Sequence, residues 1–320
     1  MSFNIHSQHL AIGQWSEHLP YIHARTLADG GDKIFCATDD GLFAYHKDDN
    51  SLQRFSKLSG LNDFGVATIE YSMDYKTLII AYTNSNIDLV KDDGGVFNLS
   101  DIKRKNIPGN KEINNIRVNG RFAFLSCGFG IVVIDLLKQE IKDTYHVNVD
   151  SINNNVYEVV SDANWYYAAT DSGIYRALVN DPNLNSYFEW SKVFTQSGYG
   201  HFSFIESYSN LIIANFMITD VSGNYQSDAI FSSADGITWV TNVPPLSGNG
   251  RNYSFRVSNN LLIVTDRQGK FKEAYPLDPA VYKQPEGITF TPTGDMIISN
   301  EWHETGLATI LVIKNKKKGL

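Results

Sequence analysis

One strand phrase, a short apolar run that ends in a small or polar residue, recurs seven times along this chain. It reads Ile34-Phe35-Cys36-Ala37-Thr38, Leu78-Ile79-Ile80-Ala81-Tyr82 and Phe124-Leu125-Ser126-Cys127, then Tyr166-Tyr167-Ala168-Ala169-Thr170. It returns as Leu211-Ile212-Ile213-Ala214-Asn215, Leu262-Ile263-Val264-Thr265 and Met296-Ile297-Ile298-Ser299-Asn300. The last residues of successive copies are 44, 45, 43, 45, 50 and 35 positions apart. A repeat of about 40–45 residues with several strands per unit is the mark of a propeller blade. The expectation is an all-β chain: a seven-bladed β-propeller with four antiparallel strands per blade.

The blade resolves further. A shorter strand precedes each apolar phrase, as in residues 67–71, 115–118, 157–160 and 202–205. Tight turns follow at Asp39-Asp40-Gly41, Asn84-Ser85-Asn86, Gly128-Phe129-Gly130 and Asp171-Ser172-Gly173. Asn, Asp and Gly tolerate the positive φ that such turns demand. A more polar fourth strand closes the unit, over 52–58, 96–99, 141–147, 188–194, 238–243 and 270–275. The seventh unit has no such strand before the basic tail at 315–320. Near the start, Gly13–Leu19 resembles the fourth strand of unit one, so the N-terminal strand is expected to complete the last blade. Trp15 would then sit where Phe55 sits in unit one. Such a clasp satisfies edge hydrogen bonds. The domain reading is an arm over 1–10, one propeller over 11–314 and the tail.

The fifth unit is long, with a loop expected at 219–224 between its second and third strands. It also carries Ser233-Ala234-Asp235-Gly236-Ile237-Thr238-Trp239, which resembles the Asp-box turn of sialidase-type propellers. Its role there is structural.

Composition excludes several functions. Net charge is −8, which opposes a nucleic-acid groove built from clustered Lys and Arg. No apolar run approaches the ~18 residues of a membrane span. The first residues lack the charged and apolar regions of a signal peptide. That fits either a cytosolic protein or an exported domain without its leader. Cys36 and Cys127 sit in the same kind of strand in non-adjacent units, too far apart for a disulfide, and read as buried packing residues.

Catalytic patterns are thin. There is no G-x-S-x-G elbow. His303-Glu304 lacks the second His of a zincin motif. Asp39-Asp40-Gly41 and Asp92-Asp93-Gly94 are too short for calcium loops and read as hairpin turns. Lys103-Arg104-Lys105 reads as a solvated loop. No enzyme, metal or cofactor is expected. Loops entering the first strands and turns between second and third strands share one face around the channel mouth. That face is expected to gather Tyr21, His23, Phe64, Phe129, Tyr199, His201, Arg251, Tyr253 and Trp302, an aromatic platform for a glycan or a protein loop.

Several words of the chain are distinctive. Residues 12–21 (Ile12 to Tyr21), residues 34–43, Asp101-Ile102-Lys103-Arg104-Lys105 and Leu125 to Asp135 resemble the mature PorZ proteins of Bacteroidetes, most strongly over 11–180. Gly41-Leu42-Phe43-Ala44-Tyr45 also resembles the two-component regulator propeller repeat. The resemblance implies an exported, non-catalytic module of the type IX secretion system, at the outer-membrane surface or in the periplasm. Its partners would be proteins, including a sortase, in cargo processing and attachment to lipopolysaccharide. The family has two propellers and a C-terminal β domain that it uses for lipopolysaccharide contact, and this chain covers a first propeller; a glycan or lipopolysaccharide is a further candidate partner beside the proteins. The alternative is the ligand-sensing ectodomain of a hybrid two-component regulator that binds an oligosaccharide.

Overall fold

In the computed structural model of the chain, the described residues are 19, 21, 24–149, 155–208 and 211–241, together with the backbone of the strand segments 254–258, 261–265, 285–290, 296–301 and 308–313. The first sheet holds β1 (Ala24–Asp29), β2 (Lys33–Thr38), β3 (Leu42–His46) and β4 (Leu52–Phe55). The second holds β5 (Val66–Ser72), β6 (Thr77–Tyr82), β7 (Ile87–Lys91) and β8 (Val96–Leu99). The third holds β9 (Ile113–Asn119), β10 (Phe122–Cys127), β11 (Gly130–Asp135) and β12 (Glu140–Tyr145). The fourth holds β13 (Val156–Ser161), β14 (Trp165–Thr170), β15 (Ile174–Leu178) and β16 (Ser191–Phe194). The fifth holds β17 (Gly200–Tyr208), β18 (Leu211–Thr219), β19 (Tyr225–Ser233) and β20 (Val240–Thr241). Beyond them β21 (Ser254–Ser258) pairs with β22 (Leu261–Thr265). The strands β23 (Pro285–Phe290), β24 (Met296–Glu301) and β25 (Ala308–Ile313) pair in chain order. Every pairing is antiparallel between neighbours in sequence, which makes the fold propeller-like.

The apolar phrase is explained by what covers it. In the first four sheets the second strand lies between two cores. In β2, Phe35 and Ala37 pack against the second sheet, while Ile34 and Cys36 fill the cluster on the other face. In β6, Leu78 and Ile80 face the first sheet, and Ile79 and Ala81 face the third. The third sheet repeats this with Leu125 and Phe124, and the fourth with Ala168 and Tyr167. With both faces dry, alternation between apolar and polar has no purpose, so the strand reads as a continuous apolar run. Cys36 and Cys127 are free and buried, in different clusters, and burial pushes both thiols up.

A second recurrence shapes the inner edge. The first strands β1, β5, β9, β13 and β17 each slip register once near their start, at Ala24/Thr26, Val66/Thr68, opposite Ser126/Cys127, at Val156/Glu158 and at Phe202/Phe204. Such bulges bend a strand and increase its twist. Next to two of them the chain also demands glycine. Gly130 and Gly173 open the third strands at φ 136° and 147°, and a Cβ there would strike the carbonyl oxygens of Tyr145 and Phe194.

Two outer strands begin later than the sequence suggests. In the fourth sheet Tyr187–Glu189 form a 3₁₀ turn whose N-cap Ser186 accepts the Phe188 N–H, so the strand starts at Ser191. In the fifth, the Asp235 carboxylate takes the N–H groups of Ile237 and Thr238 at 2.8 and 2.7 Å and the hydroxyls of Thr238 and Ser233 at 2.9 and 3.0 Å. Those bonds hold the Asp235 carboxyl well below the usual carboxylate range and keep the turn out of the ladder until Val240. Trp239 then stacks on Phe194 of the fourth sheet, ring centroids 5.3 Å apart, so the Asp-box-like turn acts as a folding device between neighbours. The loop expected at 219–224 is the hairpin of two nine-residue strands, β18 and β19. The basic run is not a free loop. Asp101–Arg104 form a helical turn, and Lys103 Nζ lies 2.6 Å from the Asp63 carboxylate. The proposed N-terminal clasp with Trp15 and the fourth strand at 270–275 lie outside the described residues, apart from the single residue Leu19.

Leu125 is fully buried between the second and third sheets. Leu125→Ala is expected to lower unfolding free energy by about 2–5 kcal/mol, the cost of a cavity in a packed core, read by urea denaturation. Asp135 accepts both Arg121 nitrogens at 2.8 and 2.6 Å and the Leu137 and Lys138 N–H groups, and its pKa falls to about 2. Because the folded value lies below the unfolded one, its contribution is present above about pH 4 and lost as pH falls towards about 2. Asp135→Asn is therefore expected to flatten the stability loss over that acid window; an unchanged acid profile would count against it.

Candidate functional site

The inner strands place charge where apolar residues would be expected. Arg117 on β9 donates through Nη2 to Glu158 Oε1 on β13 at 2.7 Å and to Glu206 Oε2 on β17 at 3.0 Å. One guanidinium so links three successive sheets across their inner edges. Glu158 and Glu206 are buried, and Glu158 Oε2 also accepts the Ile205 N–H at 3.2 Å. Burial works against the charged guanidinium, yet Glu158, Glu206 and Glu70 on β5 outweigh it and hold Arg117 above its ordinary pKa. Its side chain is 24% exposed, so the cluster borders solvent. A buried pair of this kind adds little net stability over apolar packing, but removing one partner strands the others.

Beside this cluster a recess of ≈ 330 Å³ opens between β5 and β9. Glu70, Met73, Asp74, Arg117 and Val118 border it. It faces the side of the molecule that carries the first-to-second and third-to-fourth turns, opposite the loop face read from the sequence.

On the loop face the expected residues separate. Tyr21 packs edge-on to Phe43 with centroids 6.0 Å apart, and the Arg54 guanidinium lies 5.0 Å above its ring. It covers the turn at Gly41, where a Cβ would stand 2.7 Å from the ring. Phe64 is 62% exposed, with Lys57 Nζ 4.5 Å from its ring. Phe129 is only 5% exposed and belongs to the core between the second and third sheets, so it packs the interior rather than standing on the face. Tyr199 is 60% exposed. His201 stacks on Tyr157 at 4.1 Å, and Tyr157 donates to Asp171 at 2.8 Å. Burial pushes the Tyr157 phenol up, and the Asp171 bond adds to it. His23, Arg251, Tyr253 and Trp302 lie outside the described residues.

The residues that sequence reading missed are Arg117, Glu158, Glu206 and Tyr157. Two of them, Arg117 and Glu206, share a structural position with Glu70. Glu70, Arg117 and Glu206 pair with Ile79, Phe124 and Ile213 and occupy one equivalent position in three first strands. The hairpins between first and second strands differ in length, so this equivalence follows from the strand pairing and not from a fixed spacing in the sequence.

Repeated four-stranded antiparallel sheets, dry between neighbours and charged at the inner edge, define a β-propeller. Residues 34–191 match the type IX secretion system (TSS9) PorZ N-terminal β-propeller domain. The chain is a PorZ-like propeller. Its fold resembles that of PorZ, an essential bacterial surface component of the type IX secretion system of Porphyromonas gingivalis, with a TM-score of 0.67 at 19% identity. That match covers 93% of this chain and 39% of the PorZ chain. The extracellular domain of a one-component system from B. thetaiotaomicron matches with a TM-score of 0.64 at 12% identity, over 92% of this chain and 39% of that one. The Pan2 WD40 domain of Neurospora crassa matches with a TM-score of 0.58 at 12% identity, over 93% and 92% of the two chains. This chain thus spans about two fifths of the first two structures. No curated protein matches it.

Arg117→Gln is expected to cost about 3–5 kcal/mol near neutral pH, read by urea denaturation, because it leaves buried carboxylates uncompensated. Without the guanidinium, the buried Glu158 and Glu206 carboxylates are left without their shared cation. A carboxyl whose folded pKa lies above its unfolded one destabilises the fold at high pH, and the penalty fades as pH falls through the folded value. The variant should therefore recover stability relative to wild type as pH falls from neutral and the stranded carboxylates can take up protons. A pH-independent loss would show that the carboxylates are not coupled through Arg117.

Proposed function

We propose that this chain is a non-catalytic, protein-binding scaffold of the type IX secretion system, exported to the cell surface and working with a sortase in cargo processing and attachment. The observation that carries this reading is the match of residues 34–191 to the PorZ N-terminal propeller domain. The likeness of fold to PorZ supports it. Among the described residues no helix is long and apolar enough to cross a membrane, so the reading needs no span there.

The scaffold is a closed ring of seven blades whose last is completed by the residues around Trp15. Support comes from β1, which runs beside β23 and β24, and from β25, the outermost described strand of its sheet, which leaves a place for one more. Its binding face is the loop face, where exposed Tyr199 and the His201–Tyr157 stack offer flat aromatic contact.

The second reading, a ligand-sensing ectodomain that binds an oligosaccharide, is favoured by the likeness to the B. thetaiotaomicron extracellular domain. Crosslinking on the surface of the native organism, followed by affinity capture of this chain, separates the two. The scaffold reading expects enrichment of sortase-type and outer-membrane secretion proteins. Recovery of none of these, together with saturable binding to an oligosaccharide array, would replace it with the sensor.

A further inference from the structure

We infer that the corner of the loop face around Phe64 is a docking point for an acidic segment of a partner protein, whose apolar side chain meets the ring while its carboxylates meet Lys57, Arg104 and Lys105. The first argument is how Phe64 is held. Its ring is exposed, yet the loop between β4 and β5 that carries it is anchored on both sides. Leu61 is buried in the core of the first and second sheets. Asn62 donates its N–H and its side-chain amide to the Asp88 carboxylate at 2.8 and 2.9 Å. Buried Asp63 accepts the amides of Asn84 and Asn86 at 2.9 and 3.0 Å. On the far side the Gly65 carbonyl accepts the Thr83 N–H at 2.8 Å. The backbone that could fold the ring away is fixed, so the ring is held outward. A large aromatic side chain presented in this way contacts a partner with little further ordering.

The charges beside the ring are the second, independent argument. Lys57 Nζ stands 4.5 Å from the centre of the Phe64 ring and 3.7 Å from the Asp63 carboxylate, beyond hydrogen-bond reach of the latter. That carboxylate is already taken by Lys103 Nζ at 2.6 Å, so two ammonium groups share one anion. Burial works against the Asp63 charge, yet Lys103 and the two amides outweigh it and hold the carboxyl below its ordinary pKa. Next to Lys103, Arg104 and Lys105 are exposed, and neither forms an ion pair among the described residues. Lys111 fixes the backbone of this run, because its ammonium donates to the carbonyls of Ile102, Lys103 and Lys105 at 3.1, 2.9 and 3.2 Å. Elsewhere on the face Asp39 is engaged with Arg25 and Asp171 with Tyr157. In a chain of net charge −8 the corner is a local reversal of sign, which steers an acidic partner to it. Clustered cations beside an apolar contact are a recurring way to hold an acidic peptide. A lipid surface is the weaker fit. Adsorption to anionic lipid uses clusters of about 4–8 Lys and Arg, whereas here Asp63, Asp101 and Glu112 stand among the cations.

The choice of a protein as the partner rests on the scaffold reading. The test begins with a defined probe: ¹⁵N-labelled protein titrated with the acetylated peptide Gly-Glu-Leu-Glu-Gly, and with its glutamine counterpart. Saturable shifts are expected at residues 57–59, 62–65 and 103–105 with the glutamate peptide alone. Binding should weaken about tenfold from low to high salt, as screening shortens the reach of the charges. The double variant Lys57→Gln/Phe64→Ser, at two exposed positions and checked for an unchanged melting temperature, should bind about tenfold more weakly, as loss of a ring at the centre of a contact does. No saturable shift, equal shifts with the glutamine peptide, or undiminished binding by the folded variant would overturn the inference. Should that variant fail to fold, Arg104→Gln/Lys105→Gln, on the exposed run, provides the same comparison. Sedimentation of the chain with phosphatidylglycerol-containing vesicles, without peptide binding, would also overturn it and put a lipid in place of the protein. Surface capture then separates this corner from the scaffold reading. If wild type captures secretion proteins and the folded variant captures the same set, the corner is refuted and the scaffold stands. If wild type captures none, the scaffold fails, and the peptide titration still decides the corner.

Discussion

Through its first four sheets the fold depends on the burial of the second strand from both sides. A four-stranded sheet has two faces, and here both are covered by neighbours: Ile79 and Ile80 are adjacent in sequence yet belong to different cores. Each such side chain removed from water contributes roughly 1.5–3 kcal/mol. No sheet acquires that stabilisation alone, because each supplies half of two cores. The arrangement therefore favours repetition, and it explains why one phrase recurs at 43–45 residues through the first five copies.

That constraint also determines how far the sequence could be read. Apolar runs such as Leu78-Ile79-Ile80-Ala81-Tyr82 and turns such as Asp171-Ser172-Gly173 are local, so strand identity and hairpin order were legible. The late starts of β16 and β20 were not, because they follow from side-chain bonds made by Ser186 and Asp235. Phe129 read as a surface aromatic because it stands in a turn between two glycines, yet the turn folds it back into the core. The candidate site was less legible still. Arg117 finds its partners 41 and 89 residues away, and nothing in its immediate surroundings announces them.

The two faces of the molecule differ in chemistry. The loop face offers rings: an exposed tyrosine, a histidine–tyrosine stack, and Tyr21 held under Arg54. The opposite face offers carboxylates around a recess with an ion cluster at its inner side. The contrast between an aromatic and an acidic side is one that a protein-binding scaffold of the kind proposed could use.

The Arg117 link has a consequence for descent. Propellers grow and shrink by duplication or loss of whole units, each a nearly self-contained cassette. Here one cation is shared by three cassettes, and deletion or exchange of the fourth would leave Arg117 and Glu206 facing a stranger. Through this stretch the units can drift singly at their rims but must be inherited together at the axle.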